Sequence, residues 1–145
     1  MENFEILDSP QGPIYLIPAH LQGTPLCPFF NCTPHDFDIF GTDGKHYRLA
    51  KTSVVARRSV KLVSLPNTTS MGCFDVAVSA TEFGPVQGLP SPCEGMLFIV
   101  SGMVIDAPDV GHRADLFAPD TSPDAQVRDE QGHIVGIRRL RVQAR

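Results

Sequence analysis

Four arginines crowd one short stretch near the carboxyl end of the chain: Arg128, Arg138, Arg139 and Arg141. A guanidinium is planar and permanently charged, and its fork of N–H donors matches a phosphate. Just upstream, Pro119 to Asp124 sets Asp120, Thr121 and Ser122 between two prolines. Carboxylates and hydroxyls on so constrained a path accept and donate hydrogen bonds with little freedom left to lose. The pattern fits recognition of a small anion that also carries hydroxyls. It fits equally a basic strand edge that discourages unwanted pairing beside an ordinary surface turn, and the residue types alone do not choose between the two.

Other candidates are scattered along the chain. Asn31 to His35 reads N-x-T-P-H. Asn and Thr side chains fold back on their own backbone to set turns, while His35 could orient a ribose or phosphate. Arg57 and Arg58 are adjacent in a β-branched run, so their side chains face opposite sides: one can face solvent while the other enters a cleft or subunit interface, or either can simply belong to a solvated face. His112, Arg113 and Asp115 allow two readings. Arg113 and Asp115 form a local ion pair, worth little on a surface, or Arg113 meets an anion while Asp115 accepts ribose hydroxyls.

No catalytic constellation stands out: there is no G-x-S-x-G, no H-E-x-x-H and no P-loop. Cys32 with His35 lacks a third group to orient the pair. A non-enzymatic protein is therefore expected, with a small nucleotide phosphodiesterase or hydrolase using His35 or His112 as base, or a protein-interaction module, as alternatives. Cys27, Cys32, Cys73 and Cys93 show no C-x-x-C spacing, which argues against a zinc ribbon. No metal or cofactor is expected. The net charge of −4 argues against bulk nucleic-acid binding, which depends on many basic side chains. It leaves room for one small anion. With no signal-peptide pattern and no apolar run of membrane-spanning length, the expected location is the cytosol, where thiols stay reduced.

The elements that must position these residues are mostly strands. A length of 145 residues with 42% apolar and 19% charged residues fits one globular domain. Residues 1–30 read as an N-terminal extension with a short strand at Pro13 to Pro18. Residues 31–145 read as a single β-rich domain. Asp36 to Phe40 alternates, Asp43-Gly44 marks a hairpin turn, and His46 to Leu49 returns. Val54 to Val63 and Phe74 to Val78 read as strands, and Gly84 to Pro92 as a loop. Met96 to Val100 is continuously apolar, as for a strand covered on both faces. Gly102 to Ala107 fits a short helix ended by Pro108, and Leu116 to Ala118 an edge segment. Asp129 to His133 forms a turn between Ala125 to Arg128 and Ile134 to Leu140. The expected fold class is α+β: mainly antiparallel β-sheet with one or two short helices.

Five of these pieces, taken together, resemble one family. They are N-x-T-P-H at Asn31 to His35, V-A-R ending at Arg57, and L-x-I-V-S-G-x-V from Leu97 to Val104. R-x-D-L-x-x-P-D-T-x-P follows from Arg113 to Pro123, then R-D-x-x-G-x-I-x-G-I-R from Arg128 to Arg138. The set is similar to the Thoeris anti-defence proteins of phages, over about Asn31 to Leu140. The resemblance implies a sponge that sequesters cyclic ADP-ribose isomers made by TIR-domain enzymes, and in some members cyclic oligonucleotides, without cleaving them. It implies a homodimer or a hexamer (a trimer of dimers) with sites at subunit interfaces, and no membrane partner. The ADP-ribose-type ligand would be held by Asp120, Thr121, Arg128, Arg138 and Arg141, with Asn31 and His35. A second site for a cyclic oligonucleotide would use Arg57, His112, Arg113 and Asp115. Asp120 stands where some relatives carry an amide, and Ser122 replaces a frequent glycine.

Overall fold

A computed structural model describes residues 5–16, 28–111 and 113–143. The fold is α+β and mainly β. Among the described residues the strands are β1 (Glu5–Ser9), β2 (Gly12–Leu16), β3 (Phe29–Asn31), β4 (Phe37–Phe40), β5 (His46–Leu49), β6 (Arg57–Ser70) and β7 (Asp75–Gln87). After these come β8 (Leu97–Ile99), α1 (Gly102–Ile105), a 3-10 turn at Pro108–Val110, β9 (Leu116–Pro119), β10 (Gln126–Arg128), β11 (Ile134–Ile137) and β12 (Leu140–Arg141). They form a sheet in the order β1-β2-β3-β8-β9-β12, a second sheet β10-β11-β4-β5, and the hairpin β6-β7. Most pairings are antiparallel, but β3-β8, β8-β9 and β4-β11 are parallel.

β8 sits at the heart of the larger sheet and is covered on both faces, as its unbroken apolar sequence requires. Side chains alternate across a strand, so Phe98 and Val100 join Phe30, Leu116, Ala118, Val104 and Ile105 in one core. Ile99 points the other way, into a second core with Tyr15, Leu49, Phe29, Phe37 and Ile39. The four-stranded sheet therefore packs on one face of the larger sheet, and α1 with the arm's base covers the other. α1 starts where the Ser101 hydroxyl accepts the Val104 N–H at 3.4 Å, an N-cap bond that satisfies an otherwise orphaned donor.

Several expectations from sequence are met closely. The β4-β5 and β10-β11 hairpins, β8 and α1 all lie where local signals place them. Others are corrected. Gly84 to Gln87 is strand, not loop: Arg58 pairs with Val86 and Arg57 with Gln87, with a bulge beside Ser59. A Cβ on Gly84 would come within 1.9 Å of the Ser59 hydroxyl oxygen, so the glycine serves a close strand approach. β9 is interior, not an edge, because β12 pairs along its outer side. The last strand does not run through Leu140. It stops at Ile137, and after Arg138 and Arg139 the chain crosses to the larger sheet as β12.

The amino-terminal part holds a two-stranded hairpin rather than one short strand. Tyr15 is only 2% exposed, stacks on Phe29 with ring centroids 5.4 Å apart, and its hydroxyl accepts the Ala50 N–H. This hairpin is thus part of the body, and Phe29 and Phe30 already belong to β3.

The β6-β7 hairpin is an arm. Strands of 14 and 13 residues reach roughly 40 Å at about 3.3 Å per residue. Val60, Leu62, Leu65, Val76 and Phe83 are exposed along it, and Met71 and Phe74 at its tip.

Candidate functional site

The crossing at Arg138 and Arg139 is where the chemistry gathers. The Arg138 N–H donates to the Ala125 carbonyl at 2.8 Å, and the Asp120 N–H donates to the Arg139 carbonyl at 3.0 Å. The crossing is thereby tied to both sheets. Parallel pairing of Ile137 with Ile39 brings the β4-β5 turn, Gly41 to Lys45, alongside it. Gly136 makes that pairing possible: a Cβ there would lie 2.6 Å from the Asp38 carbonyl oxygen and 2.7 Å from the Phe40 ring.

Two concavities share the crossing as a common wall. A recess of about 480 Å³ is bounded by Phe40, Thr42, Gly44, Asp124, Arg138 and Arg139. A cavity of about 400 Å³ lies between the sheets, walled by Phe29, Ile39, Leu49, Leu97, Ile99 and Phe117, with Arg138 and Arg139 at its rim. Phe40 also stacks on the His46 ring, centroids 4.2 Å apart, which fixes an aromatic face at the junction.

The predicted site residues do not converge. Arg138 is at the crossing, and the one hydrogen bond its side chain makes among the described residues is a long donation to the Gln126 carbonyl, 3.5 Å. Arg141 is elsewhere: it grips Asp106 at the end of α1 through two bonds of 2.8 and 2.9 Å. That bond holds the Asp106 carboxyl below the usual range, against a smaller opposing effect of burial. Arg128 donates to the Gly132 carbonyl at 2.6 Å and to the Gln126 amide oxygen at 2.8 Å, bracing its own hairpin. Asp120 accepts from the Ser122 backbone and hydroxyl at 2.9 and 2.5 Å. These bonds, the hydroxyl's first, lower its carboxyl pKa, with nearby Arg139 adding to the effect. Thr121 is exposed beside it, and its carbonyl accepts from the Gln126 amide.

Asn31 is corrected from ligand contact to structural residue. It is fully buried, its amide donates to the His35 and Leu49 carbonyls, and its oxygen accepts from the Thr33 N–H and hydroxyl. Every polar atom is used inside the fold. His35 is exposed.

In the second set, Arg113 and Asp115 satisfy each other. Nε and Nη2 of Arg113 donate to the carboxylate at 2.9 and 2.7 Å, and Nη1 to the Pro90 carbonyl at 2.9 Å. The Arg113 bond holds the Asp115 carboxyl below its ordinary range. Arg57 is exposed at the base of the arm. Its neighbour Arg58 lies over the Phe83 ring at 4.3 Å. His112 lies outside the described residues. The anion reading of Arg113 gives way to the ion pair.

Phe40, Gly41, Thr42, Gly44 and Val127 also line the recess, and no local pattern in the sequence places them in a site. Nothing local to the β4-β5 turn signals its parallel partner. Among the described residues no group of three or more His, Cys, Asp or Glu is placed to hold a metal, and no helix is long and apolar enough to cross a membrane. Comparison with models of protein families, with curated proteins and with solved structures gave no match.

Proposed function

We propose that this protein is a non-enzymatic sponge that holds a cyclic ADP-ribose-type signal in the recess at the sheet crossing and releases it unchanged. The observation that supports this is the position of Arg138. Its guanidinium has no carboxylate partner among the described residues, and it shares the recess with an aromatic ring, Phe40, and a hydroxyl, Thr42. An anion, a planar base and ribose hydroxyls find complementary groups there. Arg139 is paired with Asp124 at 2.7 Å and Asp120 at 3.4 Å, so it positions the wall and adds little net charge. The ligand set reduces from the sequence expectation to Arg138, with Asp120 and Thr121 on the neighbouring loop.

The experiment is a thermal-shift and calorimetric titration with cyclic ADP-ribose and its isomers, followed by mass analysis of ligand recovered after heating. Binding raises Tm, the recovered ligand is intact, and Arg138→Ala abolishes binding whereas Arg128→Ala does not. Recovery of a linearised nucleotide would replace the sponge with the hydrolase reading. Absence of any Tm shift across the panel would end the nucleotide reading.

Assembly into a homodimer or larger homo-oligomer belongs to the same proposal, and the arm supports it. A two-stranded hairpin is marginal alone in water, and this one leaves Leu62 72% and Phe83 52% exposed. Packing against a second copy would cover both. Sedimentation analysis of the wild type and of Leu62→Lys tests it: a wild type of monomer mass at micromolar concentration refutes the assembly.

A further inference from the structure

We propose that the cavity between the two sheets is a binding site for a small lipophilic carboxylate, of the medium-chain fatty-acid class, with its tail between the sheets and its head group on Arg138. This site adjoins the nucleotide recess and shares Arg138, Phe40 and Thr42 with it, so the two ligands would compete for Arg138, but the apolar walls that argue for a hydrocarbon tail do not depend on the nucleotide reading.

The cavity measures about 400 Å³. Here the walls are Phe29, Leu97, Ile99 and Phe117 from one sheet and Ile39 and Leu49 from the other. The space opens to solvent on one side, so its apolar walls face water, and a hydrocarbon laid between them removes that surface from water. Beyond Thr42, Tyr47 and the two arginines the lining is apolar, so ribose hydroxyls set deep between these walls would find few partners.

The mouth sets the head group. Arg138 and Arg139 both border it. The charge of Arg139 is already answered by Asp124 and Asp120. Arg138 makes its long bond to a neutral carbonyl. A guanidinium with no carboxylate partner among the described residues, beside an apolar cleft, matches a single carboxylate, which it can meet with two parallel hydrogen bonds.

The full chain is titrated calorimetrically with decanoate and with decanol, at pH 8 and below micelle formation. The wild type is expected to bind one decanoate per chain, about tenfold tighter than decanol, since a charge-assisted hydrogen bond supplies roughly that factor. Arg138→Gln removes the preference and leaves decanol binding in place. Ile39→Trp, which fills the cavity, removes both; Leu97→Phe serves if that variant does not fold. No saturable binding to the wild type overturns the proposal, as does equal affinity for decanoate and decanol. Cyclic ADP-ribose binding that survives Arg138→Gln but is lost in the filled variant would give the cavity to a nucleobase and also overturn it.

Discussion

Replacing Arg113 with alanine tests whether that guanidinium is a structural strut. Its side chain and that of Asp115 are 17% and 18% exposed. It makes two bonds to the carboxylate and one to the Pro90 carbonyl, all between 2.7 and 2.9 Å. Hydrogen bonds to charged groups each contribute about 1.5–3 kcal/mol net. Removing one partner also leaves the other desolvated, at a cost of about 3–5 kcal/mol when the pair is fully buried. Residual solvent contact brings the sum down, and a loss of about 3 kcal/mol is expected. For a chain of this size that corresponds to a Tm lower by roughly 10 °C. The loss depends on pH with a definite sign. The folded carboxyl of Asp115 titrates below its ordinary value because Arg113 bonds to it. Its stabilisation is therefore complete above the unfolded value, about 3.9, and disappears as pH falls through the lowered folded value. Urea denaturation followed by circular dichroism at pH 7 and pH 2.5 measures both effects. A double-mutant cycle with Asp115→Asn should return a coupling of about 1.5–2 kcal/mol. A cost below about 0.5 kcal/mol at pH 7, typical of an unconstrained surface position, would refute the strut, as would a gap unchanged at pH 2.5.

Three further outcomes follow from the packing. Gly136→Ala should destabilise by about 2 kcal/mol in denaturant titration, because the added methyl meets the Asp38 carbonyl and the Phe40 ring and the backbone on that side cannot yield without breaking the β4-β11 pairing. Asn31→Ala should cost about 3 kcal/mol in the same assay, since it strands buried partners on Thr33 and Leu49 that lose hydrogen bonds without regaining water. Burial pushes the Cys32 thiol up to about 12, so peptide mapping after brief alkylation at pH 8 should find Cys73 and Cys93, both exposed, modified and Cys32 intact.

What the sequence discloses is what short-range physics decides. Asp43-Gly44 and Gln131-Gly132 turn their hairpins because such pairs supply the required backbone angles, and Gly44 and Gly132 do adopt φ of 83° and 84°. β8 is legible because Met96 to Val100 leaves no polar face to expose. The arm is only half legible. Its apolar residues are not buried, so alternation gives no hint of where the strands end, and Gly84-Pro85 imitates a loop. The parallel pairings β3-β8-β9 and β4-β11 join segments far apart in sequence, and no local residue choice announces them. The same limit governs the site. Whether an arginine is spoken for depends on a distant carboxylate: Asp106 lies 35 positions from Arg141.

The carboxyl-terminal arginines therefore act in two ways that their clustering conceals. Arg141 joins β12 to the end of α1, and Arg139 joins the crossing to the Pro119 to Asp124 loop. Both bonds fix the backbone on either side of the point where the chain leaves one sheet for the other. Arg138 sits at that point with its charge unanswered by any carboxylate among the described residues, held at the lip of two concavities by a main chain that its neighbours pin. A loss of binding on replacing Arg139 or Arg141 would act through the position of Arg138 and would come with a lower Tm. The same loss on replacing Arg138 should come with Tm nearly unchanged, since its side chain gives the fold little beyond a 3.5 Å bond.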